Sequence, residues 1–449
     1  MVEPSHMDGA AKRAFPDAGP ASAPSIEECA EAVRSGRKDA FSSVREALER
    51  VTARESNVRA WVHLDQQGDR RAAMLAIAMG RLAGVPFGVK DLIDVAGMPT
   101  ALGLTAGEYQ AAPAARSAIA VQRLEAEGAV AIGKTVTTAL ALDRPGPTRN
   151  PLDPSRSPGA SSSGSAAAVA AGMVPLALGS QAVGSVIRPA SYCGVWAFVP
   201  SHGAVPGEGS LILSPTLDRI GIFASTPAGL RLAGLALLGR DEQAGDAQLG
   251  KKCRIAVLMN EGLASRAPEP SRHLHSLLRD HSDRLFELRT EIDFTAVLDA
   301  TRVIAAYELN RSFRMREPFH LAALNRALVT SLTPAEPAEN AYRAALSYRD
   351  GLIEAWERLA GGFDAVLLPS AAAEAPSGTL DDQDGAPAAL GSLLGLPAIS
   401  MPLFLSVGGL PLGCQLLAAR DADDTALAIA GELALAFSPG AAARAEYFT

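Results

Sequence analysis

Apolar residues repeat with a helical period in some parts of the chain and form short continuous runs in others. Helical repeats occupy residues 26–34, 40–54, 66–82, 117–127, 166–171, 271–283, 336–359 and 425–436. Short apolar runs, which predict buried strands, occupy residues 61–64, 85–90, 129–132, 174–178, 254–259, 365–368 and 398–403. This alternation predicts an α/β fold with a mixed central β-sheet covered by helices on both faces.

No linker or internal repeat divides this pattern. Residues 1–24 are rich in Ala, Pro and Gly and have no apolar period, so we expect a disordered N-terminal arm there. Ser25 followed by Glu28 is typical of a helix start, because each side chain can cap the other residue's backbone N–H. The expected organisation is an arm over 1–24 and one large domain over 25–449.

Charge is distributed unevenly along the chain. Charged residues make up 20% of the sequence, yet residues 157–187 and 385–419 contain none. The second segment is long enough to span a bilayer as a helix, but four prolines would interrupt such a helix repeatedly. We therefore expect buried strands and tight turns there.

The composition favours a small molecule as the partner. Net charge is −8, whereas nucleic acids and anionic membranes require a basic face, so neither is an expected partner. The four cysteines are widely scattered and predict neither disulfides nor a metal site. No apolar signal segment is present near the N-terminus, so a cytoplasmic location is expected.

Residues 128–135 match the phosphate-loop pattern G-x-x-x-x-G-K-[ST] letter for letter. A phosphate loop follows a strand and precedes a helix. Here the predicted helix comes first and the four middle residues are an apolar run, which indicates a turn into a strand. We expect no nucleotide and no other cofactor.

Two hydroxyl-rich loops and one lysine are the candidates for chemistry. Residues 158–165 and 179–189 combine Gly and Ser in an apolar context, where each buried hydroxyl needs a hydrogen-bond partner. Helix-capping serines would be the simpler explanation. Only six of the 41 basic residues are lysine, and Lys90 ends an apolar run, where burial would lower its pKa. A structural ion pair with Asp91 or Asp94 is the alternative for Lys90.

These segments together resemble the amidase signature family of serine hydrolases. Residues 89–94 resemble its lysine motif, residues 159–165 its G-G-S-S-G-G-S loop, and residues 180–188 its nucleophile segment T-D-T-G-G-S-I-R. Three C-terminal segments, 363–369, 394–402 and 409–417, resemble further family signatures. The resemblance implies an amidase that hydrolyses a small-molecule carboxamide.

The resemblance also implies roles for individual residues. Ser185 would be the nucleophile, Ser161 the bridging serine after a cis peptide bond, and Lys90 the base. The oxyanion hole would be formed by the backbone N–H groups of Ala182, Val183, Gly184 and Ser185. Ser162 would hydrogen-bond Lys90, and Gln181 and Arg188 would support the loop. A homodimer without a metal ion is the expected assembly.

The chain departs from the family pattern at several positions. Ala182 and Val183 replace Thr and Gly, Gln181 replaces Asp, and Arg188 lies one position late. If the backbone at Val183 requires positive φ, a β-branched residue would be strained there and could impair the oxyanion hole. Leu104 and Ala139 indicate an altered pocket. Two alternatives follow: an impaired member acting as a binding module, and a glutaminase-like amidotransferase subunit.

Overall fold

The computed structural model describes residues 23–65, 80–142, 144–241, 253–315, 324–378 and 384–437. The expected N-terminal arm lies almost entirely outside the described residues, and so does most of the helix expected over 66–82.

Eleven strands form one sheet. They are β1 (Trp61–Leu64), β2 (Pro86–Lys90), β3 (Val130–Thr135), β4 (Leu176–Gln181), β5 (Trp196–Val199), β6 (Arg219–Ala224), β7 (Ile255–Met259), β8 (Leu285–Arg289), β9 (Ala365–Pro369), β10 (Ala398–Leu405) and β11 (Pro411–Ala418). The strand order is β1-β3-β2-β4-β6-β5-β10-β11-β9-β7-β8. Strand β2 is parallel to both its neighbours, whereas β4 and β6 are antiparallel, so the sheet is mixed as predicted.

Helices account for about half of the remaining described residues. They are α1 (Ile26–Arg34), α2 (Ala40–Val58), α3 (Ile119–Ala126), α4 (Ser163–Ala170), α5 (Ile187–Cys193), α6 (Pro227–Leu238), α7 (Glu261–Arg266), α8 (Pro268–Asp280), α9 (Phe294–Met315), α10 (Arg326–Leu332), α11 (Glu339–Ala360), α12 (Ala386–Leu394) and α13 (Asp423–Phe437). Helix α1 begins with the capping box expected at Ser25 and Glu28.

Two large apolar layers cover the sheet. Alternate strand residues point to opposite faces, and β4 shows this clearly: Ala177 packs into one layer, and Leu176 and Leu178 pack into the other. Because helices contribute to both layers, the predicted α/β fold is confirmed.

The two charge-free segments form buried structure. Residues 157–187 supply a loop, α4 and β4. The expectation of strands and turns for 385–419 is wrong in one part, because α12 precedes β10 and β11. All nine residues of α12 are buried, so its sequence has no polar face that would reveal a helix. None of the described helices is long and apolar enough to cross a membrane.

The close approach of α4 to the sheet generates a stability prediction. A Cβ on Gly164 would lie 2.4 Å from both Ala60 O and Val136 N, and neither backbone atom can move away cheaply. We expect Gly164→Ala to lower the free energy of unfolding by about 1–3 kcal/mol. Urea unfolding followed by circular dichroism measures the change.

Gly431 provides the matched control for this substitution. It lies within α13, and a Cβ there would have no atom within 4 Å apart from its chain neighbours and the backbone of its own helix. Alanine is the better helix former, so Gly431→Ala should raise the free energy of unfolding by about 0.5–1 kcal/mol. Equal effects of the two substitutions would contradict the packing argument.

Candidate active site

Lys90 is buried at the end of β2, surrounded by hydroxyl and carbonyl oxygens. Its Nζ lies 2.6 Å from Ser161 Oγ, 2.9 Å from Ser180 Oγ and 3.2 Å from Ser180 O. Strands β2 and β4 are parallel neighbours, so their carboxyl ends bring Lys90 and Ser180 to the same edge of the sheet. Ser161 reaches this edge from the loop before α4.

The alternative role of Lys90 as a structural ion-pair partner is wrong. Asp91 pairs instead with the buried Lys134, at 3.3 Å between Nζ and Oδ1. Lys134 also donates to Thr100 Oγ1 (2.8 Å), and Thr100 donates to Asp94 (2.7 Å). Lys134 therefore contacts Asp91 directly and Asp94 through the hydroxyl of Thr100.

Burial without a directly paired carboxylate changes the acidity of Lys90. Loss of water around the ammonium lowers its pKa to about 7, and the charge on Asp218 opposes this shift only partly. A substantial fraction of Lys90 is therefore the neutral amine near pH 7, the form that can accept a proton.

Residues 128–135, which match the phosphate-loop pattern, lead into a strand. Lys134 lies in β3, inside the sheet.

Ser161 and Ser162 connect the lysine to the loop that carries Ser185. The peptide bond between Ala160 and Ser161 is cis, and the Ser161 side chain is buried. The N–H of Ser162 donates to the carbonyl oxygen of Ser185 at 3.3 Å, so the two loops are in contact. Ser185 itself is only half-buried. The nucleophile candidate is thus more accessible than the two residues expected to activate it.

The Ser162 hydroxyl does not make the expected contact with Lys90. Ser162 Oγ donates to Ser180 O (3.1 Å) and accepts from the N–H of Ser180 (3.3 Å), so it acts on the lysine through Ser180. Sequence reasoning missed Ser180 as a lysine partner. The available signal was a hydroxyl residue beside Gly179 at the end of a predicted apolar strand.

The Gln181 side chain holds the start of α5. Its Oε1 accepts the N–H groups of Val186 (2.9 Å) and Ile187 (3.0 Å). N–H groups at a helix start have no acceptor within the helix, and a Ser or Asp side chain more usually bonds them. Its Nε2 donates to Ser392 Oγ at 3.1 Å. Gln181 therefore bonds the loop and the helix start from the last position of β4.

Residues 182–185 carry the candidate oxyanion donors. Within the described part of the chain, no backbone or side-chain acceptor bonds the N–H groups of Ala182, Val183, Gly184 and Ser185. The carbonyl oxygen of Gly184 accepts from the N–H of Arg188 at 2.9 Å. A Cβ at Gly184 would lie 2.9 Å from Ala388 Cβ on α12, so only glycine fits without a shift.

The strain considered for Val183 is absent. The non-glycine residues with positive φ in the described ranges are Arg59, Leu102, Leu140, Ala141 and Asp421. Val183 is not among them, and its half-buried side chain packs on the apolar layer that includes α12.

The two positions that indicated an altered pocket lie together. Leu104 and Ala139 belong to one apolar cluster with Leu92, Leu213 and Leu309. Thr138, next to Ala139, donates its N–H to Ser161 O at 3.3 Å, which places this cluster beside the serine loop.

Comparisons with known proteins agree on one family. The family model described as Amidase matches residues 42–279. A glutamyl-tRNA(Gln) amidotransferase subunit of Chlamydia trachomatis is 30% identical over 77% of this chain and 80% of its own. The corresponding protein of Acidobacterium capsulatum is 38% identical, over 43% of each chain.

A solved structure described as a crystal structure of an amidase agrees with these matches. It is 29% identical, with a TM-score of 0.79 over 92% of this chain and 100% of the other. The matched fold, the matched sequence and the arrangement of Lys90 beside the serine loop support the same assignment. The chain belongs to the amidase family, also called the amidase signature family.

Proposed function

We propose that this protein is an amidase that hydrolyses a small-molecule carboxamide through an acyl-enzyme on Ser185. The observation that carries the proposal is the 2.6 Å contact between Lys90 Nζ and Ser161 Oγ, made by a lysine whose pKa burial lowers to about 7. The loop that carries Ser185 lies against the same serine pair.

The proposed reaction moves one proton along this chain of groups. Neutral Lys90 accepts the proton of Ser161, Ser161 accepts that of Ser185, and Ser185 Oγ attacks the amide carbonyl carbon. The N–H groups of residues 182–185 stabilise the oxyanion that forms. The C–N bond then breaks, the proton returns through the serines to the leaving amine, and water hydrolyses the acyl-enzyme.

Two alternatives rest on specific observations. The relatives named as amidotransferase subunits favour a glutaminase-like protein that works with partner chains. The replacements at Ala182 and Val183 favour an impaired member that only binds its ligand. The absence of positive φ at Val183 and the short Lys90–Ser161 contact weaken the second alternative.

A fluorophosphonate probe tests the nucleophile. We expect the probe to label the wild-type protein and to leave Ser185→Ala unlabelled, because phosphonylation requires the activated hydroxyl. Intact-mass spectrometry measures the adduct. Ser265→Ala, which removes an exposed serine hydroxyl on α7, is the control and should label like wild type. Equal labelling of Ser185→Ala and wild type would overturn the proposal.

The pH dependence of labelling tests the base. Lys90 must be neutral to accept a proton, so the rate should rise with pH and level off above its pKa of about 7. Below this value the rate should fall about tenfold per pH unit. If the labelling rate instead keeps rising with pH up to the ordinary pKa of a lysine, burial does not lower the pKa of Lys90.

Lys90→Met is the matched variant for this profile. It keeps an unbranched apolar stem of similar length but has no amine. We expect a rate about 10²–10⁴-fold lower and without the inflection near neutral pH. An unchanged inflection in this variant would assign it to another group.

A substrate panel separates the proposed amidase from the glutaminase-like alternative. The isolated chain should release ammonia from aliphatic or aryl primary amides, because the proposed site is complete within one chain. Coupled ammonia detection measures turnover. Turnover of glutamine alone, and only once a partner protein is added, would favour the amidotransferase role.

A further inference from the structure

Ser392 contacts the candidate oxyanion loop from a distant part of the chain. It is a buried residue of α12, and its Oγ donates to the carbonyl oxygen of Val183 at 2.7 Å, across 209 positions of sequence. The same Oγ accepts from Gln181 Nε2 at 3.1 Å and from an Arg219 terminal nitrogen at 3.2 Å. One hydroxyl thus joins three parts of the chain.

The donor and acceptor roles in this network are fixed by the partners. Gln181 Oε1 faces two backbone N–H groups, so its amide nitrogen must be the atom that faces Ser392. A guanidinium only donates. Both lone pairs of Ser392 Oγ are therefore occupied by donors, and its single proton must point at Val183 O.

Arg219 fixes the position of this hydroxyl. Its guanidinium is buried and donates to Leu396 O (2.6 Å), Pro200 O (3.2 Å) and Gly391 O (3.3 Å). Arg219 begins β6, where it is the register partner of Gln181 on β4. Two neighbouring strand ends therefore converge on Ser392 and tie the end of α12 to the sheet.

The orientation of one peptide group follows from these contacts. In a trans peptide the C=O and the N–H point in opposite directions. Holding Val183 O toward α12 therefore turns the N–H of Gly184 away from α12. That N–H has no acceptor among the described residues, and it belongs to the residue that precedes Ser185.

We propose that Ser392 is a positioning residue that directs the Gly184 N–H toward the oxyanion formed when Ser185 attacks its substrate. The inference rests on the proposed function, since it needs a nucleophilic Ser185. In this proposal α12 contributes to catalysis only by orienting the backbone of the loop that carries Ser185.

Ser392→Ala and Ser392→Cys test the proposal with the fluorophosphonate probe. The phosphoryl oxygen of the probe uses the same N–H donors as the amide oxygen would. Removing one oxyanion donor outright costs about 10²–10³-fold, so losing its alignment should slow labelling by about 10–100-fold. A thiol is a weaker donor of similar size, so Ser392→Cys should label at a rate between those of Ser392→Ala and wild type.

Ser370→Ala is the matched control. It also removes a buried hydroxyl, one that bonds Ser400 Oγ at 2.9 Å at the end of β9. We expect its labelling rate to equal that of wild type. In both Ser392 variants we expect a lower maximal labelling rate, while the affinity for the probe and the pH of the inflection stay unchanged. A general loss of structure would change all three quantities.

The outcomes separate this inference from the proposed function. A wild-type protein that does not label overturns both. Normal labelling of Ser392→Ala, with none of Ser185→Ala, overturns only the role of Ser392. An equal loss in Ser392→Ala and Ser370→Ala also overturns it. If Ser392→Ala does not fold, a folded Ser392→Cys with the wild-type labelling rate is the contradicting result.

Discussion

The desolvation of the Lys90 ammonium is the constraint on which the site depends. Burying a charge costs free energy unless the charge is paired. The Lys90 ammonium contacts hydroxyl and carbonyl oxygens and has no directly paired carboxylate. The group responds by losing its proton more easily, which brings its pKa to about 7. The serines around it are therefore partners that accept hydrogen bonds from the ammonium and can donate to the neutral amine. A carboxylate in the same place would hold the proton on the lysine.

The pairing of the second buried lysine maintains this arrangement. Lys134 is bound to Asp91, the residue that directly follows Lys90. Asp91 follows the last residue of β2 and contacts the Lys134 side chain of β3, whereas Lys90, the last residue of β2, contacts Ser180 of β4. The buried ion pair contributes little net stability by itself, since desolvation offsets its attraction. Its consequence is that Asp91, the carboxylate nearest to Lys90 in sequence, is already paired with Lys134 and is not a direct partner of Lys90.

The sequence allowed the α/β fold, the lysine strand and the two serine loops to be predicted, because each depends on local pattern or on a resemblance carried by short motifs. Three features could not be obtained in this way. Helix α12 is buried on all sides, so no periodicity marks it. The contact of Ser180 with Lys90 depends on the pairing of β2 with β4, which periodicity does not specify. The backbone angle at Val183 depends on packing, so the substitution there indicated a strain that is absent.

The location of Ser392 changes how the C-terminal part of the chain relates to the site. The family match ends at residue 279, and the lysine and serine loops all lie before it. Yet the loop that carries Ser185 is held by an α12 hydroxyl, and α12 is in turn held by Arg219 through carbonyl oxygens at its end. Strands β5 and β10 are neighbours in the sheet, which brings the two parts of the chain together. The side chain of Gln181, a departure from the family pattern, donates to the same Ser392 hydroxyl that holds the backbone carbonyl of Val183, so this departure is part of the arrangement that orients the loop.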